Sequence, residues 1–328
     1  MSEKAAEKTV GEFELIRRHF SREKRSAAVD LGVGDDCALL RVAPGQQLVV
    51  SSDMLVEGRH FLSTVAPERL GHKSLAVNLS DLAACGAEPL AFTLALALPR
   101  ADDGFLAPFA QGLYSLADAH GIELVGGDTT AGPLNICITV FGQVPAGQAL
   151  LRSGAQPGDA LWVSGTLGDA RLALEVFRGT VALDGQAFQQ VRRAMELPQP
   201  RVALGRALRG VASSAIDLSD GLLGDLGHVL QASGVGASVF VDTIPRSTVL
   251  AAQAPDLQHT CLLAGGDDYE LLFSAAPAQR QAVAAAARDA SVAVTRIGAL
   301  TAARGLQVVD RQGAVLPQTW SGFDHFKS

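Results

Sequence analysis

Aspartates beside glycine or serine are the residues of this sequence best suited to chemistry. They occur where apolar segments end or turn: Asp35 and Asp36 in GVGDDCALL, Asp53 in VVSSDML, Asp81 in NLSDLAA, Asp128 in VGGDTT, Asp217 and Asp220 in AIDLSDG, and Asp267 and Asp268 in GGDDYEL. One such acid is ordinarily a helix cap or a turn residue. Buried acids are costly unless they are paired or bound to metal, so the repetition across many segments favours a shared ligand role.

Carboxylate oxygens are the ligands that Mg²⁺ prefers, and the ion is usually held by one or two carboxylates together with substrate phosphates. Glycine neighbours let the backbone approach a phosphate closely. Because carboxylates repel a nucleotide, an acid-rich phosphate site requires divalent ions between the two. The sequence therefore predicts a magnesium-dependent enzyme that uses ATP.

Other kinds of site have little local support. The sequence contains no GxxxxGK[ST] phosphate loop, no HRD or DFG kinase motif, no GxSxG elbow and no HExxH helix, and GVGDDC does not match GxGxxG. A structural Ca²⁺ site in a non-catalytic binding module is the alternative from another class. Such sites usually collect their ligands in one short loop, whereas these acids extend from Asp35 to Asp268.

Positive charge is sparse near these motifs. Arg152 in LLRSGA is either a phosphate ligand or an ordinary surface arginine, and Lys73 is interpreted as a solvated helix lysine. The turn VSGTLGDA, at 163–170, offers backbone N–H groups to an anion at a helix N-terminus. Most strand-turn-helix units present such N–H groups, so this turn alone is weak evidence for an anion site.

The elements that must position these residues follow from apolar periodicity. Helices are predicted over 11–20, 71–89 and 105–120, and strands over 47–55, 122–130 and 136–144, with 122–130 ending in a Gly-Gly-Asp turn. In the helix over 71–89, one face carries Leu75, Leu79 and Leu82 and a separate narrow stripe carries Ser74, Asn78 and Asp81.

A Gly-, Pro- and Ala-rich stretch over 145–158 predicts a boundary. Beyond it, a strand is predicted at 160–163, a strand or turn leading into a helix at 214–230, and a Gly-Gly turn followed by a strand within 262–275. Strands and helices mix in both halves, which indicates α/β or α+β domains. The expected division is an N-terminal domain of residues 1–148 and a C-terminal domain of residues 149–328.

Composition agrees with a globular enzyme of 328 residues, since domains hold roughly 150 residues and 48% of this chain is hydrophobic. The apolar run over 90–98 has about half the length of a membrane helix. A net charge of −7 without a basic run argues against nucleic acid as a partner. Four scattered cysteines without a CxxC pair and a charged start without an apolar signal core favour the cytoplasm.

The ordered motifs resemble those of the thiamine-monophosphate kinase family from about Gly11 to Phe326. The matching strings are VGDDCALL, SSDMLVEGRHF, KSLAVNLSDLAACGAEP, VGGDTT, LRSGAQPGD, AIDLSDGL, GGDDYELLF and WSGFDHF. The resemblance implies the two-domain aminoimidazole ribonucleotide synthetase-like fold, of α/β (α+β) class. Its N-terminal mixed-sheet domain would form a homodimer, and its C-terminal domain would be α/β. The implied reaction converts ATP and thiamine monophosphate into ADP and thiamine diphosphate.

The resemblance also implies roles for individual residues. Metal ligands would be Asp36, Ser51, Ser52, Asp53, Asp81, Asp128, Asp217 and Asp220. ATP would contact Gly127, Asp128, Arg152 and Ser219, and the thiamine substrate would contact His60, Asp267 and Trp320. No dedicated catalytic base is predicted. Asp267 departs from the glutamate of many members in GGEDYEL, which shortens the reach of that carboxylate. Trp320 either stacks on a ring of thiamine or simply packs on the core.

Three relatives in the same superfamily are alternatives. Selenophosphate synthetase needs a reactive Cys or selenocysteine in an N-terminal segment, and the first 36 residues here contain no Cys. The hydrogenase-maturation relative ends in a functional Cys, whereas this sequence ends in HFKS. Aminoimidazole ribonucleotide synthetase also uses ATP and an anionic substrate and is the hardest to exclude. NLSDLAACGAEP and GGDDYEL favour the thiamine enzyme.

Overall fold

The computed structural model describes residues 12–317 and Trp320. Distances between Cα atoms divide them into two compact units. The first unit contains the described residues through Pro44 together with Val50–Asn78 and Pro89–Phe141. The second contains Gly45–Val49, Leu79–Glu88 and the described residues from Gly142 onward. Among the described helices, none combines the length and the apolar character needed to cross a bilayer.

The elements of the N-terminal half largely follow the apolar periodicity. Along the chain they are α1 (Glu12–His19), β1 (Val29–Leu31), β2 (Leu39–Leu40), β3 (Gln46–Val56), α2 (Pro67–Ala84), β4 (Glu88–Leu98), α3 (Asp103–His120), β5 (Glu123–Ala131) and β6 (Asn135–Pro145). Strand β1 pairs antiparallel with β2, and a mixed sheet has the order β3-β6-β4-β5, in which β4 and β5 are parallel. The predicted helix over 105–120 and the predicted strands over 47–55 and 136–144 are confirmed.

One predicted helix boundary and one predicted turn are wrong. The helix predicted over 71–89 begins at Pro67, a residue that suits the first turn of a helix, and ends at Ala84. Gly86 then takes a φ of +68°, and β4 begins at Glu88. The strand predicted to end in a turn at Gly-Gly-Asp instead continues through these residues to Ala131.

Helix α2 is buried almost all round. Leu75, Leu79 and Leu82 have no exposed surface, and the polar Ser74 and Asn78 are each only 1% exposed. A helix that is enclosed on every side belongs to a core and not to a surface. Its polar residues must therefore find hydrogen-bond partners inside the protein.

The remaining elements form a larger sheet with helices. They are β7 (Ala160–Ser164), α4 (Asp169–Phe177), α5 (Gly185–Glu196), α6 (Val202–Ala207), β8 (Ser214–Asp217), α7 (Leu222–Ser233), β9 (Gly236–Phe240), α8 (Thr248–Ala251), α9 (Pro255–Ala264), β10 (Leu271–Ala275), α10 (Arg280–Asp289), β11 (Val294–Thr301) and β12 (Gly305–Val309). The strand order is β12-β9-β11-β7-β10-β8. Only the β12–β9 pairing is parallel in this described sheet.

The core of the second unit lies between this sheet and its helices. Val163 on β7, Leu172 on α4, Leu226 on α7, Leu262 on α9 and Leu272 on β10 are all at most 1% exposed and belong to one apolar cluster. Burying side chains of this size stabilises a fold by roughly 1.5–3 kcal/mol each. The cluster fixes β8 and β10, whose ends carry the AIDLSDG and GGDDYEL motifs.

Candidate functional site

The Ser-Ser-Asp motif lies within strand β3. Ser52 Oγ lies 2.9 Å from Thr139 Oγ1 and donates to the Ile138 carbonyl at 3.2 Å. The backbone N–H of Asp53 donates to Asn78 Oδ1 on α2 at 3.1 Å. Ser51 and Asp53 are half-buried. The motif is therefore held in place by β6 on one side and by a buried amide of α2 on the other.

The polar stripe predicted on α2 is mostly structural. Ser74 Oγ donates to the Leu70 carbonyl at 2.7 Å, and Asn78 Nδ2 donates to the Ser74 carbonyl at 3.0 Å. Because Asn78 also accepts the N–H of Asp53, its amide positions β3. Asp81, one turn farther along the helix, is half-buried.

His60 and Lys73 are connected to each other. Lys73 is 2% exposed and donates from Nζ to the His60 carbonyl at 3.2 Å, so the expectation of a solvated lysine is wrong. The reason is that α2 is enclosed and the ammonium group finds a backbone partner inside. His60 Nδ1 accepts the Val56 N–H at 3.0 Å, so the proton of the neutral ring is on Nε2.

A β-bulge on β5 lies directly before the Gly-Gly-Asp motif. Leu124 pairs with Phe92 and Gly126 pairs with Thr93, so the residue between them is extra. Gly127 has a φ of +146°, and a Cβ added to it would lie 1.8 Å from the Leu94 carbonyl oxygen. Only glycine fits there. Bulges re-aim the residues that follow, and the next residue is Asp128.

Asp128 and Asp36 are both exposed. Asp128 lies in β5 opposite Ala95 of β4. Asp36 lies between β1 and β2, and its N–H donates to Asp35 Oδ1 at 2.8 Å. Both carboxylates belong to the first unit.

The AIDLSDG motif joins β8 to α7 in the second unit. Asp217 ends β8 and is 6% exposed, and Ser219 and Asp220 are half-buried. Asp225 Oδ2 accepts the backbone N–H groups of Asp220 and Gly221, each at 3.1 Å. Burial and the Asp220 carboxylate together raise the pKa of Asp225 to about 7. Asp225 therefore fixes the turn in which Asp220 lies.

The GGDDYEL loop lies against this turn because β10 pairs antiparallel with β8. The N–H of Asp267 donates to the Ser219 carbonyl at 2.9 Å, and the N–H of Tyr269 donates to the Leu218 carbonyl at 2.8 Å. Asp267 and Tyr269 have φ values of +67° and +49°. The left-handed region costs roughly 1–2 kcal/mol per residue, less for Asp, so the neighbouring bonds must hold the loop there.

The turn at 163–170, which was predicted to bind an anion, binds a carboxylate of this chain. The Gly168 N–H donates to Asp268 Oδ1 at 2.9 Å, just before α4. Burial raises the pKa of Asp268 well above its usual value, although the hydrogen bond acts in the opposite direction. Asp268 is thus a structural partner of the turn.

Asp81, Asp217 and Arg152 lie around the thiol of Cys85. Burial raises the pKa of Cys85, the carboxylates of Asp81 and Asp217 raise it further, and Arg152 lowers it. Arg152 is exposed and its carbonyl accepts a hydrogen bond from Ser233 Oγ at 3.0 Å. The second unit therefore brings together three residues that the motifs had selected from distant places in the sequence.

Trp320 packs against the apolar core of the second unit. Its ring centroid lies 5.8 Å from that of His259 on α9, in a T-shaped arrangement. The side chain is half-buried. Trp320 thus packs on the core and keeps part of its surface accessible, and its contact with thiamine stays a prediction.

Sequence reasoning missed a buried ion pair. Glu270 is 6% exposed and accepts hydrogen bonds from Arg201 Nε, at 2.7 Å, from Arg201 Nη2 and from Ser164 Oγ. The available signal was the position of Glu270 in YELLF, an otherwise apolar strand sequence. A charge that enters a core there requires a partner.

The predicted ligands fit a hard cation by their chemistry, since they supply carboxylate and hydroxyl oxygens. Within the described part of the chain, however, no three His, Cys, Asp or Glu side chains form a group that could hold a metal ion. The assignment of individual metal ligands therefore stays a prediction.

Comparison with known proteins decides the family. Residues 34–144 match the AIR synthase related protein, N-terminal domain, and residues 156–311 match the AIR synthase related protein, C-terminal domain. The thiamine-monophosphate kinase of Salmonella typhimurium is 46% identical over 96% of this chain and 98% of its own length. This chain belongs to the thiamine-monophosphate kinase family.

Solved structures agree with this membership in the thiamine-monophosphate kinase family. The crystal structure of thiamine-monophosphate kinase from Stenotrophomonas maltophilia K279a is 46% identical, with a TM-score of 0.82 over 86% of this chain and 91% of that chain. AaThiL complexed with AMPPCP and TMP is 27% identical, with a TM-score of 0.74 over 97% of both chains. The predicted α/β fold with two domains is confirmed.

Proposed function

We propose that this chain catalyses the magnesium-dependent transfer of the γ-phosphoryl group of ATP to thiamine monophosphate, giving ADP and thiamine diphosphate. The observation that carries the proposal is the 46% identity, over 96% of the chain, to a thiamine-monophosphate kinase. The relative complexed with AMPPCP, an ATP analogue, and TMP supports the same pair of substrates.

The nucleophile in this proposal is an oxygen of the substrate phosphate. A phosphate monoester loses its second proton near pH 6, so the attacking oxygen is already ionised at neutral pH. A dedicated general base is then unnecessary, and positioning with charge stabilisation provides the catalysis. We therefore propose direct in-line transfer without a phosphorylated protein intermediate.

Each unit carries its own set of proposed metal ligands. The set in the first unit is Asp36, Ser51, Ser52, Asp53 and Asp128, and the set in the second unit is Asp81, Asp217 and Asp220. When bound, Mg²⁺ would offset the repulsion between the phosphates and stabilise charge on the transferring group. The oxygen donors of both sets suit that ion.

The proposed ATP contacts are Gly127, Asp128, Arg152 and Ser219. Gly127 packs too closely on the Leu94 carbonyl for any side chain, and Arg152 presents an exposed guanidinium, a group that pairs with phosphate oxygens. The proposed thiamine contacts are His60, Asp267 and Trp320. An indole face attracts cations such as the thiazolium ring. The imidazole of His60 is held beside β3 by the Val56 N–H.

The runner-up is another ATP-dependent reaction of the superfamily, such as that of aminoimidazole ribonucleotide synthetase. ADP release with ATP and Mg²⁺ should depend on thiamine monophosphate and should be near background with thiamine or with precursors of aminoimidazole ribonucleotide. Equal turnover with any of these compounds would contradict the proposed substrate.

A non-catalytic Ca²⁺-binding module is the alternative from another class. Calorimetry separates it from the enzyme, because the enzyme should bind ATP only in the presence of Mg²⁺. Tight Ca²⁺ binding without affinity for nucleotide would support the module.

We also propose that the chain works as a cytoplasmic homodimer, with an N-terminal domain of residues 1–148 that dimerises and a C-terminal domain of residues 149–328. Strand β3 lies at the edge of its sheet and exposes Leu48, Val50 and Met54, each about half accessible, along one face. Edge strands with apolar exposure invite pairing with another chain. Free thiols at Cys37, Cys85, Cys137 and Cys261 suit a reducing compartment.

Light scattering after gel filtration tests the dimer. The wild-type chain should elute at twice its mass, and Val50→Lys should shift the population toward monomer. Arg311→Glu, which reverses the charge of an exposed arginine, is a surface control that should leave the mass unchanged. A monomeric wild-type chain would contradict the proposal.

A further inference from the structure

The loop between α9 and β10 combines two unusual backbone conformations. Asp267 and Tyr269 both take positive φ, which non-glycine residues rarely adopt. Conformations of this kind persist only where the surroundings determine them, and they cluster at binding sites. The residues that hold this loop are therefore candidates for a positioning function.

The backbone of the loop is fixed by groups other than the Asp267 side chain. The Asp267 and Tyr269 N–H groups donate to the Ser219 and Leu218 carbonyls. Asp268 accepts from Gly168, and the carboxylate of Glu270 is paired with a guanidinium inside the core. The place of Asp267 in the loop is therefore set independently of where its carboxylate points.

The hydroxyl of Tyr269 constrains where that carboxylate points. It donates to Asp267 Oδ1 at 3.1 Å, and Tyr269 is itself only 8% exposed, so its ring cannot swing freely. A carboxylate has several acceptor positions, and one hydroxyl donor occupies a single one of them. The bond therefore ties one carboxylate oxygen of Asp267 to a ring that is itself fixed.

We propose that Tyr269 is a positioning residue that orients the Asp267 carboxylate toward the thiamine part of thiamine monophosphate. The inference rests on the proposed function, in which Asp267 contacts that substrate. Thiamine carries a cationic thiazolium ring and an aminopyrimidine with N–H donors, and a carboxylate recognises both. Because Tyr269 acts through Asp267, its loss weakens binding of the acceptor and leaves phosphoryl transfer intact.

Steady-state kinetics of Tyr269→Phe in the full chain test this role. Losing a hydrogen bond to a charged group should raise the KM for thiamine monophosphate about tenfold. The kcat and the KM for ATP should change by less than about twofold. Phe keeps the ring, so the variant is expected to fold. Tyr114→Phe is the matched control, because the chain has two tyrosines and the buried Tyr114 hydroxyl on α3 has no hydrogen-bond partner in the described structure.

A double-mutant cycle separates positioning from simple packing. In an Asp267→Asn background, Tyr269→Phe should add little to the KM, since the two residues act as one unit. An equal KM effect in both backgrounds, or an unchanged KM with a lower urea midpoint, would overturn the inference while the proposed function stands. A wild-type chain without ADP release on thiamine monophosphate would overturn both.

Discussion

The aspartates of the two units are held in different ways. In the first unit, Asp53 and Asp128 lie on strands, and the sheet fixes their backbones. In the second unit, Asp220 and Asp267 lie in loops that backbone carbonyls and other carboxylates hold in place. Aspartates of the second unit therefore have two kinds of role, scaffold and candidate ligand, which residue type alone does not separate.

The difference shows what decides the role of a carboxylate. Asp225 and Asp268 accept backbone N–H groups that would otherwise be unpaired at a helix start, which is a structural use. Asp128 lies on β5 beyond the bulge and is exposed. The neighbouring N–H groups and the strand register, and not the Gly-Asp string, distinguish the two uses.

The largest expected effect concerns the loops of the second unit. Arg201→Met leaves the Glu270 carboxylate buried without its guanidinium, and breaking such a pair costs roughly 3–5 kcal/mol. Urea unfolding should show a large fall in the midpoint. Arg311→Met removes an exposed partner of Asp242 and should cost less than about 1 kcal/mol. Similar shifts for both variants would mean that the buried pair does not hold the loop.

An intermediate effect concerns the scaffold acid Asp225. Its pKa of about 7 in the fold lies above its ordinary value of 3.8, so the folded state holds the proton more tightly. The contribution of Asp225 to stability is then greatest at low pH, falls as the pH rises from about 4 to 7, and levels off above that range. Each pKa unit corresponds to about 1.4 kcal/mol, so the contribution is a few kcal/mol.

Urea midpoints measured in EDTA between pH 4 and pH 8 check this expectation. Asp225→Asn cannot ionise and should lose this part of the pH dependence. An identical pH profile for the wild type and the variant would show that Asp225 titrates normally, and the contrast between scaffold and ligand acids would lose its clearest example.

The smallest expected effect concerns Gly127 on β5 of the first unit. Gly127→Ala would place a methyl group against the Leu94 carbonyl, and overpacking of this kind costs roughly 1–3 kcal/mol. Gly121 also has a positive φ, but no atom lies within 4 Å of a Cβ added there. Gly121→Ala therefore measures the effect of an alanine at positive φ on the free energy of unfolding, without a steric clash. The alanine at 127 should lower the urea midpoint more and should also raise the KM for ATP. Equal urea midpoints and equal KM values for the two variants would mean that the backbone around Gly127 has room to relax.

Periodicity predicted much of the fold but not the sites of close packing. Strands β3 and β6 and helix α3 follow directly from their apolar patterns. The close approach of Gly127 to Leu94 depends on register with β4, and the burial of Lys73 depends on how α2 is enclosed. Local sequence contains neither kind of information.

The sequence also predicted part of the candidate site. The motifs identified the correct family, and they selected Asp81, Asp217 and Arg152, which lie around one thiol. The scaffold roles of Asp225 and Glu270 escaped prediction because each depends on a partner that is close only in the folded chain. The individual metal and substrate contacts stay predictions.

The transfer of label from ATP labelled with ³²P at the γ position tests the central claim most directly. With Mg²⁺ and thiamine monophosphate, rapid quenching at successive times should show the label passing from ATP into thiamine diphosphate, with one ADP formed for each labelled product. No labelled protein should accumulate at any time. Label released as free phosphate would contradict the proposed acceptor, and a labelled protein that precedes the product would contradict direct transfer.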